Sequence, residues 1–320
     1  MTAVLATAGR PPVPGGPAPG GPGPGRRRRR EAALAYLLVL PAMITFGVFV
    51  FYPFFNNFKL ALYQSPPVPG IPPHYVGLRQ AGQVLFSNAY GFPGSLLTTI
   101  AFVVLVVPVS LFLGLVLAVA AHRRLKGVGV YRVIFSSTVV SSVAVAALVF
   151  GTLMNPVVGF LPWLGINPHP PLLENPTWAL PSVAVMTIWQ FLGLSFIIMS
   201  AGLQSLPDEV LEAARIDGAS SWTRFWRVTV PMLSPTIFFA VVVGTIFAFQ
   251  SFGQIDILIG YANNPARLHV NVLVYNIVNT LTQENNTGVA AVMSVALFFI
   301  TLLLTLLQMR FLERRVHYAR

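Results

Sequence analysis

Six stretches of the chain, approximately residues 32–55, 95–121, 130–153, 180–203, 233–259 and 289–311, are continuously apolar. At 1.5 Å of rise per residue, about 20 such residues in a helix cross a hydrocarbon core of about 30 Å. Backbone inside hydrocarbon must satisfy its own hydrogen bonds, so only helices and closed barrels span it. Barrel strands alternate apolar and polar residues over about ten positions, and these runs do not alternate. The expected fold class is therefore an all-α membrane protein with six transmembrane helices. Composition agrees: 9% of the 320 residues are charged, against roughly 25% in an average soluble domain. Pro41, Pro53 and Pro108 lie inside the runs and predict kinks.

The net charge of +11 raises the question of nucleic acid, and the placement of the charge answers it. With the amino terminus cytoplasmic, Arg10, Arg26 to Arg30, Arg123, Arg124, Lys126, Arg132, Arg215, Arg224, Arg227, Arg310, Arg314, Arg315 and Arg320 fall inside. Only Lys59, Arg79 and Arg267 fall outside, a division of the 20 basic residues into seventeen and three. This is the positive-inside asymmetry. It places both termini in the cytoplasm, with the lipid bilayer as solvent, and leaves no basic domain for nucleic acid.

Residues 1–30, a Pro/Gly tract ending in five arginines, have almost nothing to bury and read as a disordered cytoplasmic tail. Residues 31–320 read as one six-span domain. The arginines followed by a long apolar run suggest an uncleaved first span with a topology anchor. On the outer side, "QSPPVPGIPPHYVG" reads as a stiff polyproline-like connector, and Trp163 and Trp178 in the next loop suit the headgroup level. His74, His169 and His269 are isolated, without metal-ligand spacing.

Several chemistries are excluded. There is no phosphate loop, no H-E-x-x-H, no G-x-S-x-G and no cysteine, and only nine acidic residues. A chain without these groups is not expected to be an enzyme, nor to hold a cofactor of its own.

The polar exception is "SLPDEVLEAARIDGASSWTRFWRVTVP", residues 205–231. Pro207, Asp208 and Glu209 predict a helix start, and Gly218 a left-handed stop. A second short helix over 220–230 carries Trp222, Phe225 and Trp226, with Pro231 ending it. Such a knob either seats in a groove of a partner or lies on the lipid surface.

Glu212-Ala213-Ala214, Asp217-Gly218-Ala219, Phe225 and Pro231 match, in order and spacing, the E-A-A loop of permease subunits of ATP-binding-cassette importers. From about residue 31 to its end the chain resembles that family, with the type I (MetI-like) importer permease fold. In "LVLPAMITFGVFVFYPFF", "FQSFGQIDILIG" and "LLQMRFLERRVHYAR" it resembles the carbohydrate-type branch, and within it the permeases of glycerophosphate and glycerophosphodiester importers, which implies the inner membrane of a prokaryotic cell. One departure is "GYANNP", residues 260–265, where that branch has a Gly-Gly-Pro turn. The resemblance implies that the loop's residues are the coupling helices docking on an ATP-hydrolysing subunit. It also implies the partners: a second, homologous permease, two ATP-binding-cassette subunits that hold ATP and Mg, and an external substrate-binding protein. The implied cargo is glycerol-3-phosphate or a glycerophosphodiester, with a sugar as the alternative.

A path for cargo needs polar groups in apolar spans. Trp189 and Gln190 in the fourth run, Gln250, Gln254 and Asp256 in the fifth, and Ser294, Thr301, Thr305 and Gln308 on one face of the sixth are the candidates. Interhelical hydrogen bonding is the competing role for each. No basic residue is expected within a span. An ion-coupled carrier would need intramembrane ionisable relays and paired broken helices, which the pattern does not show, and a purely structural scaffold is the remaining class.

Overall fold

The computed structural model describes residues 24–66, 71–122, 128–261 and 263–312. The basic residues at positions 1–23, 123–127 and 313–320, and part of the proline connector, lie outside them. Two units are described separately, one up to Asn56 and one from Asn57 onward.

The first unit is one long helix in pieces. Helix α1 (Pro24–Phe46) passes through a π-helical turn, Gly47–Phe51, into α2 (Tyr52–Leu60), whose last residues belong to the second unit. α1 starts at Pro24, so the arginines at 26–30 are its first turns and not part of an irregular tail. Proline suits the first helical position and arginine is a good helix former. The π turn has a local cause. Pro53 has no N–H and its ring crowds the carbonyl four residues back, and the widened turn, with Tyr52 N–H donating to the Gly47 carbonyl, makes room.

In the second unit, β1 (Tyr63–Gln64) pairs antiparallel with β2 (His74–Tyr75), Tyr63 opposite Tyr75 and Gln64 opposite His74. The short helix α3 (Arg79–Phe86) follows, then α4 (Phe92–His122), which runs through Pro108 unbroken. The third apolar run is not one helix. α5 (Val128–Ser136) and a 3-10 turn end at Val140, α6 (Val143–Leu153) begins after Ser141-Ser142, and the two halves meet at 104°. Adjacent serines offer the backbone local alternatives to the helical ladder and are a recurrent cause of sharp kinks. Ser142 makes no side-chain cap, so the first N–H groups of α6 have no intrahelical acceptor. After α7 (Phe160–Trp163) comes α8 (Ala179–Gln204), then the short helices α9 (Asp208–Ile216), α10 (Ser221–Arg224) and α11 (Val230–Met232). The chain closes with α12 (Ser234–Phe249), α13 (Gly253–Ile259), α14 (Leu273–Thr282) and α15 (Thr287–Leu312).

Four helices are long and apolar enough to cross a membrane, and six spans result if each bent pair counts as one. The fifth run is the second correction: over 233–259 the helix stops at Phe249 and restarts as α13, while its first half turns by 66° into α10 and α11.

α8 is the centre of the second unit. In its apolar window 61% of residues are buried, against 33% for α4 and 28% for α15. One core cluster joins Phe102, Ala146, Val183, Met186, Ile255 and Tyr275, and another joins Leu111, Phe191, Phe196, Met199 and Leu233. In lipid no solvent drives helices together, so small residues that allow backbones to approach carry the packing. Gly193 is such a position: a Cβ there would overlap Thr138 Oγ1 and stand 2.9 Å from the Phe135 carbonyl oxygen. A third cluster, Val84, Phe92, Leu273 and Met293, packs α3, α4, α14 and α15 together.

Candidate functional site

The polar loop folds as two short helices around a glycine hinge. α9 begins directly after Pro207, with Asp208 and Glu209 in its first turn and Arg215 in its last, each complementing the helix dipole. It ends as Gly218 adopts φ +77, with Gly218 N–H donating to the Arg215 carbonyl at 3.1 Å and Ala219 N–H to that of Ala214 at 3.2 Å. Ser220 then caps α10, accepting from Thr223 N–H at 3.2 Å. Pro231 does not end this second helix. The chain widens into a π turn over Phe225–Thr229, where Val230 N–H donates to the Phe225 carbonyl, and continues through Pro231 to Met232. The cause is the one seen before Pro53: in both places the π turn ends two residues before a proline.

This arrangement leaves large apolar side chains outside. Ile216 is 85% and Trp222 72% exposed, and Trp226, 46% exposed, packs edge-on against both Trp222 and Phe225, with ring centroids at 5.6 and 5.1 Å. Glu212, Ala213 and Asp217 are exposed, and Ala214 and Ala219 are half-buried. The knob is a preformed, aromatic-studded projection.

The candidate path residues do not form one surface. Gln250 is the exposed C-cap of α12, and Gln254 sits beyond the break on α13 with only 3% exposed, so they share no helical face. Asp256 lies on α13 as well, exposed, and not within a continuous span. Neighbours on α8 diverge in the same way. Trp189 packs on Phe150 with centroids 5.5 Å apart, whereas Gln190 reaches the Ser141 carbonyl at the break of the third run, its Nε2 at 3.5 Å and its Oε1 buried without a partner. On α15 the Ser294 and Thr301 hydroxyls donate back to the carbonyls of Ala290 and Leu297, at 2.8 and 2.9 Å. Gln308 of the same helix bridges to α12, its Nε2 donating to Thr245 Oγ1 at 3.0 Å while its Oε1 is buried without a partner.

Sequence reasoning missed several ties between distant residues. Arg132 lies inside α5, against the expectation of cation-free spans, and donates to the Ala121 carbonyl at the end of α4 at 3.2 Å, a cation placed at the negative end of a helix. At the other end of the helices, Tyr261 donates to Glu174 Oε1 at 3.1 Å, and Arg267 donates to the Tyr275 hydroxyl at 2.9 Å. Burial and the Glu174 carboxylate push the Tyr261 phenol above its ordinary range. No local pattern announces these pairs.

With this geometry in hand, comparison with known proteins is informative. Residues 92–318 match the family described as "Binding-protein-dependent transport system inner membrane component". The chain belongs to this family. Among other members, the sn-glycerol-3-phosphate transport system permease protein UgpA of Agrobacterium fabrum is 38% identical over 294 residues, which cover 89% of this chain and 97% of that one. UgpA of Rhizobium meliloti is 34% identical with the same coverage. The trehalose/maltose transport system permease protein MalF of Thermococcus litoralis is 29% identical over 88% of this chain and 94% of its own length. In structure, the family member is similar to a chain of a bacterial ABC transporter involved in the import of alginate, with a TM-score of 0.76, 20% identity, and coverage of 90% and 98%. The mostly helical fold is thus that of an ABC importer permease, and these relatives are transport permeases.

Proposed function

We propose that this permease imports glycerol-3-phosphate or glycerophosphodiesters, driven by ATP hydrolysis in separate subunits. The observation that carries the cargo is the 38% identity to a glycerol-3-phosphate permease along nearly the whole of both chains. The trehalose/maltose relative at 29% supports a sugar as the second reading. The working unit in this reading contains a second, homologous permease, two ATP-binding-cassette subunits and an external binding protein. The loop with Glu212, Ala213, Ala214, Asp217, Gly218, Ala219, Phe225 and Pro231 is its coupling element, supported by the exposed aromatic face of the knob. A polar, preformed hairpin with outward tryptophans suits a protein groove, since its apolar groups converge on one small projection.

Gln190, Gln250, Gln254 and Gln308, with Trp189, Asp256, Ser294 and Thr301, are the path candidates. Gln190 and Gln308 are favoured because each has a buried, unpaired carbonyl oxygen, whose free-energy cost a hydroxyl donor on the cargo would recover. Amides suit glycerol hydroxyls better than a phosphate dianion, so most charge selectivity belongs to the binding protein and partner permease.

The test is uptake into proteoliposomes holding the intact assembly, ATP and the binding protein. Saturable uptake of labelled glycerol-3-phosphate, unaffected by excess maltose, is the expected result. Competition in the opposite sense selects the sugar, and uptake by the chain alone without ATP selects an ion-coupled carrier.

Orientation has its own test. With both termini cytoplasmic, Ser221→Cys in the cysteine-free chain is labelled by an impermeant maleimide only from the cytoplasmic side, and Asn263→Cys only from the outer side. Labelling of both from one face breaks this topology.

A further inference from the structure

An apolar cavity of about 530 Å³ opens on the second unit among the end of α2, α3, the start of α4 and α15, lined by Phe58, Leu62, Leu85, Phe92, Val295 and Phe299 among others. It lies at one end of these helices. Phe58 is in the last turn of α2, Phe92 is the first residue of α4, and the α15 wall extends from Val292 to Ile300, about 12 Å along the axis. α3, with Leu78 at its start and Phe86 at its end both strongly exposed, has the character of a helix lying in the membrane interface. The cavity therefore reaches from the headgroup level into the acyl region.

Two basic residues stand next to cavity-lining residues in the sequence. Lys59 directly follows the lining residue Phe58, and Arg79 directly follows the lining residue Leu78. Both are exposed, and neither has a charged partner among the described residues. No aspartate or glutamate occurs in α2, α3, α4 or α15; Glu284 stands in the linker ahead of α15. Unpaired cations beside an apolar slot at this depth complement a negatively charged headgroup with its chain inside the slot.

We propose that the cavity is a binding site for one anionic phospholipid, with an acyl chain along α15 and its phosphate between Lys59 and Arg79. A zwitterionic lipid brings the same phosphate but adds a cationic ammonium that Lys59 and Arg79 repel, so the site discriminates by the net charge of the headgroup.

The test uses the full chain in the assembly purified from its membrane, placed in nanodiscs of phosphatidylcholine doped with phosphatidylglycerol, then stripped with detergent. Retained lipid is quantified by mass spectrometry. Phosphatidylglycerol should be enriched over its bulk share, and Lys59→Gln with Arg79→Gln should lower that enrichment about thirty-fold. Ala296→Trp, which fills the slot, should remove bound lipid of either kind, and Ala81→Phe does the same from the opposite wall if the first variant fails to insert. Retention at the bulk ratio, or enrichment unchanged in the double variant, overturns the proposal. A crosslink from Ala296→Cys to another protein chain also overturns it, because a helix then occupies the groove.

Discussion

Gly218→Pro should abolish cargo-stimulated ATP hydrolysis in an assembly that still contains every subunit. Gly218 sits at φ +77, and proline is locked near −65°, so the hinge between α9 and α10 cannot form. The change also deletes the N–H that donates to the Arg215 carbonyl. Space is not the obstacle, since a Cβ at Gly218 meets nothing within 4 Å. Gly218→Ala is therefore the calibrated control: it carries only the backbone strain of a left-handed L-residue, about 1–2 kcal/mol, and should weaken stimulation without eliminating it. Because the knob projects away from the packed helices, insertion and subunit content should be normal for both. Full stimulation in the proline variant would remove this loop from the coupling role.

The second large effect is on folding. Gly193→Val should prevent recovery of folded protein from the membrane. At this point α8 lies against the segment 135–139 so closely that a Cβ would collide with Thr138 Oγ1, the Phe135 carbonyl and Val139 Cγ2. One of these is backbone and cannot rotate away. Overpacking by a few methyl groups costs about 1–3 kcal/mol in tolerant cores, and here it separates the central helix from the broken third span. Gly193→Ala should be intermediate and partly rescued by Thr138→Ala, which removes the nearest atom. Gly82→Ala, where nothing lies within 4 Å, is the matched control. Thermal midpoints of detergent-extracted protein decide the matter; equal midpoints for Gly82→Ala and Gly193→Ala would show that α8 can shift at little cost.

Much of the fold was legible because the hydrocarbon core imposes a length that hydropathy reports directly. The second, fourth and sixth runs became helices within a few residues of their expected ends, and the first became a helix that overruns its expected ends on both sides and passes through a π turn. The third and fifth suit spans only as bent pairs, for a related reason: hydropathy measures what lies in the membrane and is silent on whether the backbone is straight. Ser141-Ser142 carries the break of the third run in plain view, yet two serines in an apolar stretch of Val and Ala do not announce a turn of 104°. Gln250 and Gln254, four residues apart, would share a face of a continuous helix, and the break at 250–252 removes that periodicity. The turn chemistry of Gly218 was readable because a left-handed residue after a run with an acidic start leaves few alternatives. The Gln308 to Thr245 bond was not readable, since the partner's identity depends on how α12 and α15 are rotated against each other.

The break in the third run has one more consequence. The first turn of α6 presents backbone N–H groups with no acceptor in their own helix and no serine cap, at the midpoint of a segment whose length and composition suit a span. Lipid tails cannot supply acceptors, and irregular backbone at membrane depth persists only where protein covers it or an aqueous cavity reaches it. The residues next to these groups, Ser142, Ala144 and Val145, are exposed in the isolated chain. A solitary copy in a bilayer would thus carry a small island of unmet hydration in the middle of its hydrocarbon-facing surface. Either a companion subunit shields that island or water wets it, and in both cases this chain is unfit to stand alone in lipid: its own third span makes solitude costly.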